Sequence, residues 1–254
     1  MLYLFFAIIV GTVYVNDNKV SLKNLYIKTF QASGQQTVKS SMPLPNKSFD
    51  YQIKLMDSVF IEVPLIAQLP KLPRGCEVTS LAMLLNHHQI EVDKMELAEK
   101  IKRDPATYEV IDGKIHFGNP YNGFVGDMYS FNTPGLGVYH KPIAELAAEY
   151  VGLDRVYDFT GQSFSEIFNE LNKGRPVWVI INADYKELPK ESFITWQTND
   201  GPIDVTMRQH SVLITGYDQE YIYFNDPLKR QKKAPIDDFQ ASWIQMGKQA
   251  LTIY

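Results

Sequence analysis

The chain has 254 residues, enough for one large domain or for a domain with an extension. Hydrophobic residues at 45% against charged residues at 21% exclude a wholly disordered chain. With 25 Lys and Arg against 29 Asp and Glu the net charge of -4 lacks the basic footprint of a nucleic-acid binder, and a single cysteine, Cys76, excludes an intrachain disulfide and a cysteine-rich zinc site.

In chain order, Leu2 to Val15 is an almost unbroken apolar run of 14 residues. A helix needs about 20 to cross a bilayer. The run therefore reads as a signal-peptide core or membrane anchor over 1–15, ahead of polar Asn16 to Lys19. No Lys or Arg precedes it and no A-x-A-like site follows, so a buried strand turning at Asn16-Asp17-Asn18 is the competing reading. The first reading implies an extracellular or cell-surface protein tethered through its N-terminus. Residues 16–57 read as an extension and linker, since Gln31 to Ser48 is polar and carries Gly34, Pro43 and Pro45. Residues 58–254 are the expected folded domain, starting with Val59, Ile61 and Val63 as a short strand stopped by Pro64.

Around Cys76, Pro70, Pro73 and Gly75 keep the chain non-helical, and then Val78, Leu81, Ala82 and Leu85 recur at helical steps. Cys76 thus sits in the first turn of an amphipathic helix. Unpaired N–H groups and the positive helix end favour a thiolate there, opposed modestly by Glu77. A lone cysteine is otherwise an inert small hydrophobe. The position at a helix start, straight after glycine, favours the nucleophile.

A thiolate nucleophile needs a base, and the chain offers five histidines. His87 and His88 fall at the end of the Cys76 helix, where solvation accounts for them. His116 lies within Tyr108 to Tyr139, a Gly-, Tyr- and Asn-rich stretch that reads as one long loop walling a cleft. His140 precedes a helix opened by Pro142. Ser163 to Glu166 reads as a capping box on a helix through Leu171 that Gly174 ends, followed by a buried strand from Val177 to Ile181. Phe193 to Gln197 is the next strand, turned by Asn199-Asp200-Gly201.

His210 opens the apolar strand His210 to Gly216, and Tyr221 to Asp226 follows as its hairpin partner, stopped by Pro227. A three-residue loop at Tyr217, Asp218 and Gln219 pairs Gly216 with Glu220 and so sets His210 directly opposite Asp226. Side chains of such a pair lie about 5 Å apart at Cβ, and a one-residue slip would put Asn225 on that face instead. Asp226 is then the group that orients the His210 ring.

The order Cys76, His210, Asp226, with the histidine 134 residues after the cysteine, matches papain-type spacing. Four runs carry a closer likeness: Gln68-Leu-Pro70 with Leu72-Pro-Arg-Gly-Cys-Glu-Val-Thr-Ser80; Gly118-Asn-Pro-Tyr-Asn-Gly-Phe-Val-Gly126; Gln209-His-Ser-Val-Leu-Ile-Thr-Gly-Tyr217; and Asn225-Asp-Pro227. With these the chain, from Val63 to its end, resembles the papain-like cysteine peptidases of family C-thirty-nine, the double-glycine-leader peptidases. It is still more similar to the stand-alone C-thirty-nine-like proteins of Gram-positive bacteria.

The resemblance implies an α+β, papain-like fold with a helical lobe packed on an antiparallel sheet. It implies Cys76 as nucleophile, His210 as general base and acid, Asp226 as the orienting group and Gln68 as a side-chain donor to the oxyanion hole beside the Cys76 N–H. The implied activity is hydrolysis of peptide bonds through a thioester, with acyl or peptidyl transfer, or a degenerate surface-binding module, as the alternatives. Transporter segments like those of the leader peptidases are not read in the sequence, so the leader substrate is not carried over. A peptide or protein is the expected partner of a monomer, with no cofactor, metal or nucleic acid.

Overall fold

The computed structural model describes residues 56–254; the readings made for 1–15 and for the linker lie outside the described residues. Val59–Phe60 forms β1, shorter than the alternation to Val63 suggests, because Pro64 and the loop beyond it leave the sheet. Helix α1 is Cys76–His87. It is followed by α2, Lys94–Lys100, capped by the Asp93 side chain on the Met95 N–H.

Strand β2 is Arg103–Asp104, and the stretch from Tyr108 to Tyr139 expected as one long loop instead contains β3 (Glu109–Ile111), β4 (Lys114–His116) and β5 (Phe124–Val125). Asp112 and Gly113, at φ 51 and 74, make the tight turn between β3 and β4. All three β3 residues are exposed, which is why no apolar alternation announces the hairpin.

Then come α3 (His140–Val151), β6 (Val156–Asp158) and α4 (Ser165–Asn172). The capping box expected at α4 does not form: Phe164 is the N-cap, and Ser163 bonds Ser165 instead. Strand β7 is Val177–Asn182, buried at every residue, and β8 (Ile194–Thr198) and β9 (Gly201–Val205) make the expected second hairpin. The chain closes with β10 (Gln209–Tyr217), β11 (Tyr221–Asn225), β12 (Lys233–Pro235), α5 (Ile236–Gln245) and β13 (Ala250–Ile253).

Seven of these strands form one antiparallel sheet in the order β12-β11-β10-β7-β13-β6, with β1 on β10. Strands β3, β4, β8 and β9 form a separate sheet, as do β2 and β5. The main sheet has a helical layer on each face. Trp178, Ile180, Leu213, Leu251 and Ile253 meet α1, with α2 and α3 packed around that helix. On the opposite face Phe168 of α4 packs on Tyr217, and Phe239 of α5 on Phe224.

The fold is α+β, with an antiparallel sheet under a helical lobe. The amphipathic pattern of α1 predicts one buried face, yet Cys76 through Leu85 are all buried, because α1 lies between the sheet and two other helices. Its buried hydroxyls find carbonyl partners: Thr79 Oγ1 donates to Gly75 O one turn back at 2.7 Å, and Ser80 Oγ donates to Ser211 O of β10 at 3.2 Å. Among the described residues no helix is long and apolar enough to cross a membrane.

Candidate functional site

Cys76 opens α1, so its backbone N–H has no intrahelical acceptor, and the N-cap Gly75 adds no side-chain bond. Gly75 is required by packing, since a Cβ there would come within 2.6 Å of Leu72 Cβ. The approach to Cys76 is pinned at several points. Asn225 Nδ2 donates to Val63 O (2.8 Å), Gln68 N to Pro227 O (3.0 Å), and Lys94 Nζ to Gln68 O (3.0 Å). The second of these ties the loop before Cys76 to the turn that follows Asp226.

Gln68 is buried in that loop, and its Nε2 donates to Leu72 O at 3.0 Å and Pro73 O at 2.9 Å. Two carbonyl acceptors require the amide nitrogen on that side. Both amide hydrogens are therefore engaged in bracing the loop, and among the described residues Oε1 is buried without a partner. The free side-chain donor that the sequence reading assigns to Gln68 is not free in this arrangement.

His210 and Asp226 do meet: Nε2 of the ring and Oδ1 of the carboxylate are 2.7 Å apart and both residues are about 1% exposed. The register that brings them together differs from the expected one. Near the turn, Tyr217 pairs with Ile222 and Gly216 with Tyr223; beyond a bulge at Thr215, Ile214 pairs with Phe224 and Leu213 with Asn225. His210 is thus not opposite Asp226 but pairs with Ile181 of β7, and Asp226 reaches it diagonally from just past the end of β11. The bulge decides which side chain arrives. If the pairing set by the turn ran on unbroken, Asn225 would share the His210 face; the extra residue restores that place to Asp226. The bulge is held by β1 and the residue after it: the Ile61 N–H donates to Thr215 O at 2.7 Å, and the Val59 carbonyl lies where a Cβ on Gly216 would be.

Four donors surround the Asp226 carboxylate. Oδ1 accepts from His210 Nε2 and from Leu228 N (2.8 Å); Oδ2 accepts from Tyr185 OH (2.9 Å) and Arg230 N (2.8 Å). Burial raises its pKa, but the hydrogen bond and charge of His210 and the two backbone N–H groups outweigh it and hold the group at about 2. Since a carboxylate only accepts, Nε2 carries the ring hydrogen and Nδ1 of a neutral ring is left as the acceptor. Tyr185 was not singled out from the sequence. It follows β7 in a left-handed conformation at φ 57, stacks on Phe224 and sets its ring edge-on to His210. No motif marks it; only the fold brings a residue 41 positions away onto Asp226.

Cys76 reaches the same strand from the α1 side. Pairing of β11 begins at Leu213, so along 209–212 the edge of β10 away from β7 carries no strand among the described residues. There the Ser211 N–H, one residue from His210, acts on the thiol in the sense that favours a thiolate. The thiol itself donates to Glu77 Oε2 at 3.3 Å, and a hydrogen bond between Cys76 and His210 is absent among the described residues. The expected lowering of the thiol pKa is also reversed. Burial pushes it well above its ordinary value, the charge and hydrogen bond of Glu77 push the same way, and the Ser211 N–H only partly opposes them.

Arg74 clamps the neighbouring loop to the Cys76 approach, with Nη1 on Asp127 O (3.0 Å) and on Ser130 O and the guanidinium over the Phe131 ring. The remaining histidines stand apart from Cys76. His140 pairs with Asp158, His116 lies in β4, and His87 packs edge-on against His88. His88 is not simply solvated, as expected from its helix-end position: its Nε2 is buried, and burial pushes its pKa down to about 4. Among the described residues no group of three or more His, Cys, Asp or Glu is placed to hold a metal.

Residues 60–251 match the Peptidase_C39 like family. A relative, the uncharacterized protein YvpB of Bacillus subtilis (strain 168), is 47% identical over 185 residues, which is 72% of this chain and 70% of that protein. A crystal structure described as a "putative C39-like peptidase from Bacillus anthracis" superposes with a TM-score of 0.72 at 43% identity, over 78% of this chain and 98% of that one.

Proposed function

The chain belongs to the Peptidase_C39 like family, and from that membership and the geometry of the site we propose that it is a cysteine peptidase working through Cys76, His210 and Asp226. The observation that carries the reading is the saturated Asp226 carboxylate, which fixes one His210 tautomer one residue from the strand edge where the Cys76 thiol lies. Such an arrangement stabilises an imidazolium that has taken a proton.

The thiol turns from Glu77 to His210 and gives its proton to Nδ1, and the sulfur attacks the scissile carbonyl carbon. The carbonyl electron pair moves to oxygen, where the Cys76 N–H, unpaired at the helix start, receives it. Gln68 contributes by bracing the loop that presents this N–H. Collapse of the tetrahedral intermediate expels the amine, which takes the proton from His210 and leaves a thioester on Cys76. Water, deprotonated by the same Nδ1, then attacks the thioester and releases the acid. The Arg74-clamped loop from Asp127 to Phe131 forms one wall of the substrate cleft.

A peptide library incubated with the full chain and read by mass spectrometry tests this. Cleavage should appear with the wild type and vanish with Cys76→Ala and His210→Ala, and a strong amine added to the mixture should trap acyl products. Equal cleavage by wild type and Cys76→Ala, or none by either, would remove the proposal.

A further inference from the structure

Glu77 has no part in the reaction proposed above, yet it is the side chain that holds the sulfur. It is 1% exposed, follows Cys76 in the first turn of α1, and has both carboxylate oxygens occupied. Oε2 accepts from the Cys76 thiol at 3.3 Å; Oε1 accepts from Val138 N at 3.1 Å and Gln209 Nε2 at 2.7 Å. The backbone closes over it only because residue 137 is glycine: a Cβ there would come within 2.0 Å of Oε1 and 2.4 Å of Gln209 Nε2. An acidic residue favours any helix start, but an exposed one does so equally well. Burial with a fitted set of donors calls for a further reason, since a buried carboxylate without a cation is costly.

The groups facing Glu77 supply no such cation. Its own helix brings the Cys76 thiol, the segment before α3 brings Val138 and the buried Tyr139 phenol, β7 brings the Trp178 indole onto the Glu77 carbonyl, and β10 brings Gln209 next to His210. Asp226, beyond β11, acts on the thiol in the same sense as Glu77. Among the described residues no Lys or Arg pairs with Glu77.

We propose that Glu77 holds the Cys76 thiol in a resting position, so that the nucleophile is released only when this carboxylate loses its charge or its hold on the S–H. The atoms needed for release are already in place. Rotation about one side-chain bond takes the sulfur off Oε2 (3.3 Å), and the Ser211 N–H nearby acts in favour of the thiolate. Burial raises the Glu77 carboxyl to about 7, so the restraint is charged above neutral pH and discharged below it. The inference rests on Cys76 being the nucleophile only for its biological meaning; the thiol itself can be read without a substrate.

The test is alkylation of the full chain by iodoacetamide, which reports Cys76 alone because no other cysteine is present. In the wild type the rate should rise with pH up to about 7 and then flatten. Above that point a thiolate beside neutral Glu77 differs from the resting pair by no net proton. It should rise again only when both groups ionise. In Glu77→Gln the amide oxygen can keep Val138 and Gln209 while the amide nitrogen faces the sulfur. The plateau should disappear and the rate at pH 8 should increase about tenfold or more, one unit of thiol pKa being a factor of ten. Below pH 6 the two rates should converge. A single free-cysteine titration in the wild type, or a rate ratio that does not change with pH, overturns the restraint. The wild-type profile decides the matter if Glu77→Gln fails to fold. A plateau without any peptide cleavage would leave the restraint standing and remove the peptidase reading; cleavage with no plateau would do the opposite.

Discussion

Replacing Asp226 with alanine removes the acceptor for four donors at once. Two of them, the Leu228 and Arg230 N–H groups, lie in a turn at the surface and can take water instead. The other two, His210 Nε2–H and Tyr185 OH, belong to buried residues and stay unpaired. An unsatisfied buried donor costs about 1–3 kcal/mol, so Asp226→Ala should lower stability by roughly 3 kcal/mol, a large part of a typical reserve but short of unfolding. Turnover should fall further than the folded fraction, by about 10- to 1000-fold, because the tautomer is no longer held and the imidazolium loses its counter-charge. Asp226→Asn keeps an oxygen for half of the donors and turns an amide against Leu228 N or Arg230 N, so it should lose less. Asn225→Ala breaks one half-exposed bond to Val63 O and should cost about 1 kcal/mol with little change in turnover. Thermal melts and initial rates on one fluorogenic peptide, taken at pH 7 for all three variants, separate the two effects. Lost turnover in Asn225→Ala with wild-type rates in Asp226→Ala would refute the assignment and the bulge-set register together. Because the Asp226 carboxyl is held below its unfolded value, its stabilisation is complete above about pH 4 and fades as the pH falls through about 2.

Tyr185→Phe leaves Asp226 with three donors and should lower kcat about 3- to 10-fold with KM unchanged, since the ring still stacks on Phe224; an effect on KM alone would mean that Tyr185 acts on substrate binding instead. The Glu77 carboxyl, raised from 4.5 to about 7, favours the fold below pH 4.5 and loses that contribution as pH rises through about 7, a span worth roughly 3 kcal/mol. Urea denaturation at pH 4.5 and pH 8 should show the stability gap between wild type and Glu77→Gln change by about that amount, and a gap that does not move would contradict the buried charge. Deleting residues 1–48 should leave a cooperatively melting, active domain, because the described packing begins at Met56, whose carbonyl accepts from Tyr217 OH; an insoluble product would place the N-terminal segment in the core. Residues 1–48 fused to a reporter that matures only outside the cytoplasm should switch it on, and a silent fusion would end the export reading.

Several elements were legible because they depend on short-range rules. The Cys76 helix start follows from Pro73 and Gly75 followed by a helical apolar period, and the β7 strand from an unbroken run of β-branched and aromatic residues between Pro176 and Asn182. Parity along the last hairpin selected Asp226 over Asn225 even though the register was off by two. The turn pairs Gly216 with Tyr223 rather than Glu220, a shift of three, and a bulge that nothing in the hairpin announces takes one residue back; β1 and Ile61 after it, some 155 residues earlier, hold that bulge by closing on Gly216 and bonding Thr215. The hairpin at Asp112-Gly113 was hidden for a related reason: β3 has no buried face, and β4 finds its second partner in β8. Tyr185 on Asp226, both Gln68 hydrogens in its own loop, and Glu77 on the thiol arise from contacts between distant segments. The sequence by itself therefore determined the helix start on which Cys76 stands, the strand that carries His210 and the parity that favours Asp226. The tertiary structure decided their protonation and their partners, because burial and the donors brought by other strands, rather than the helix end, set the charge on Cys76, Glu77 and Asp226.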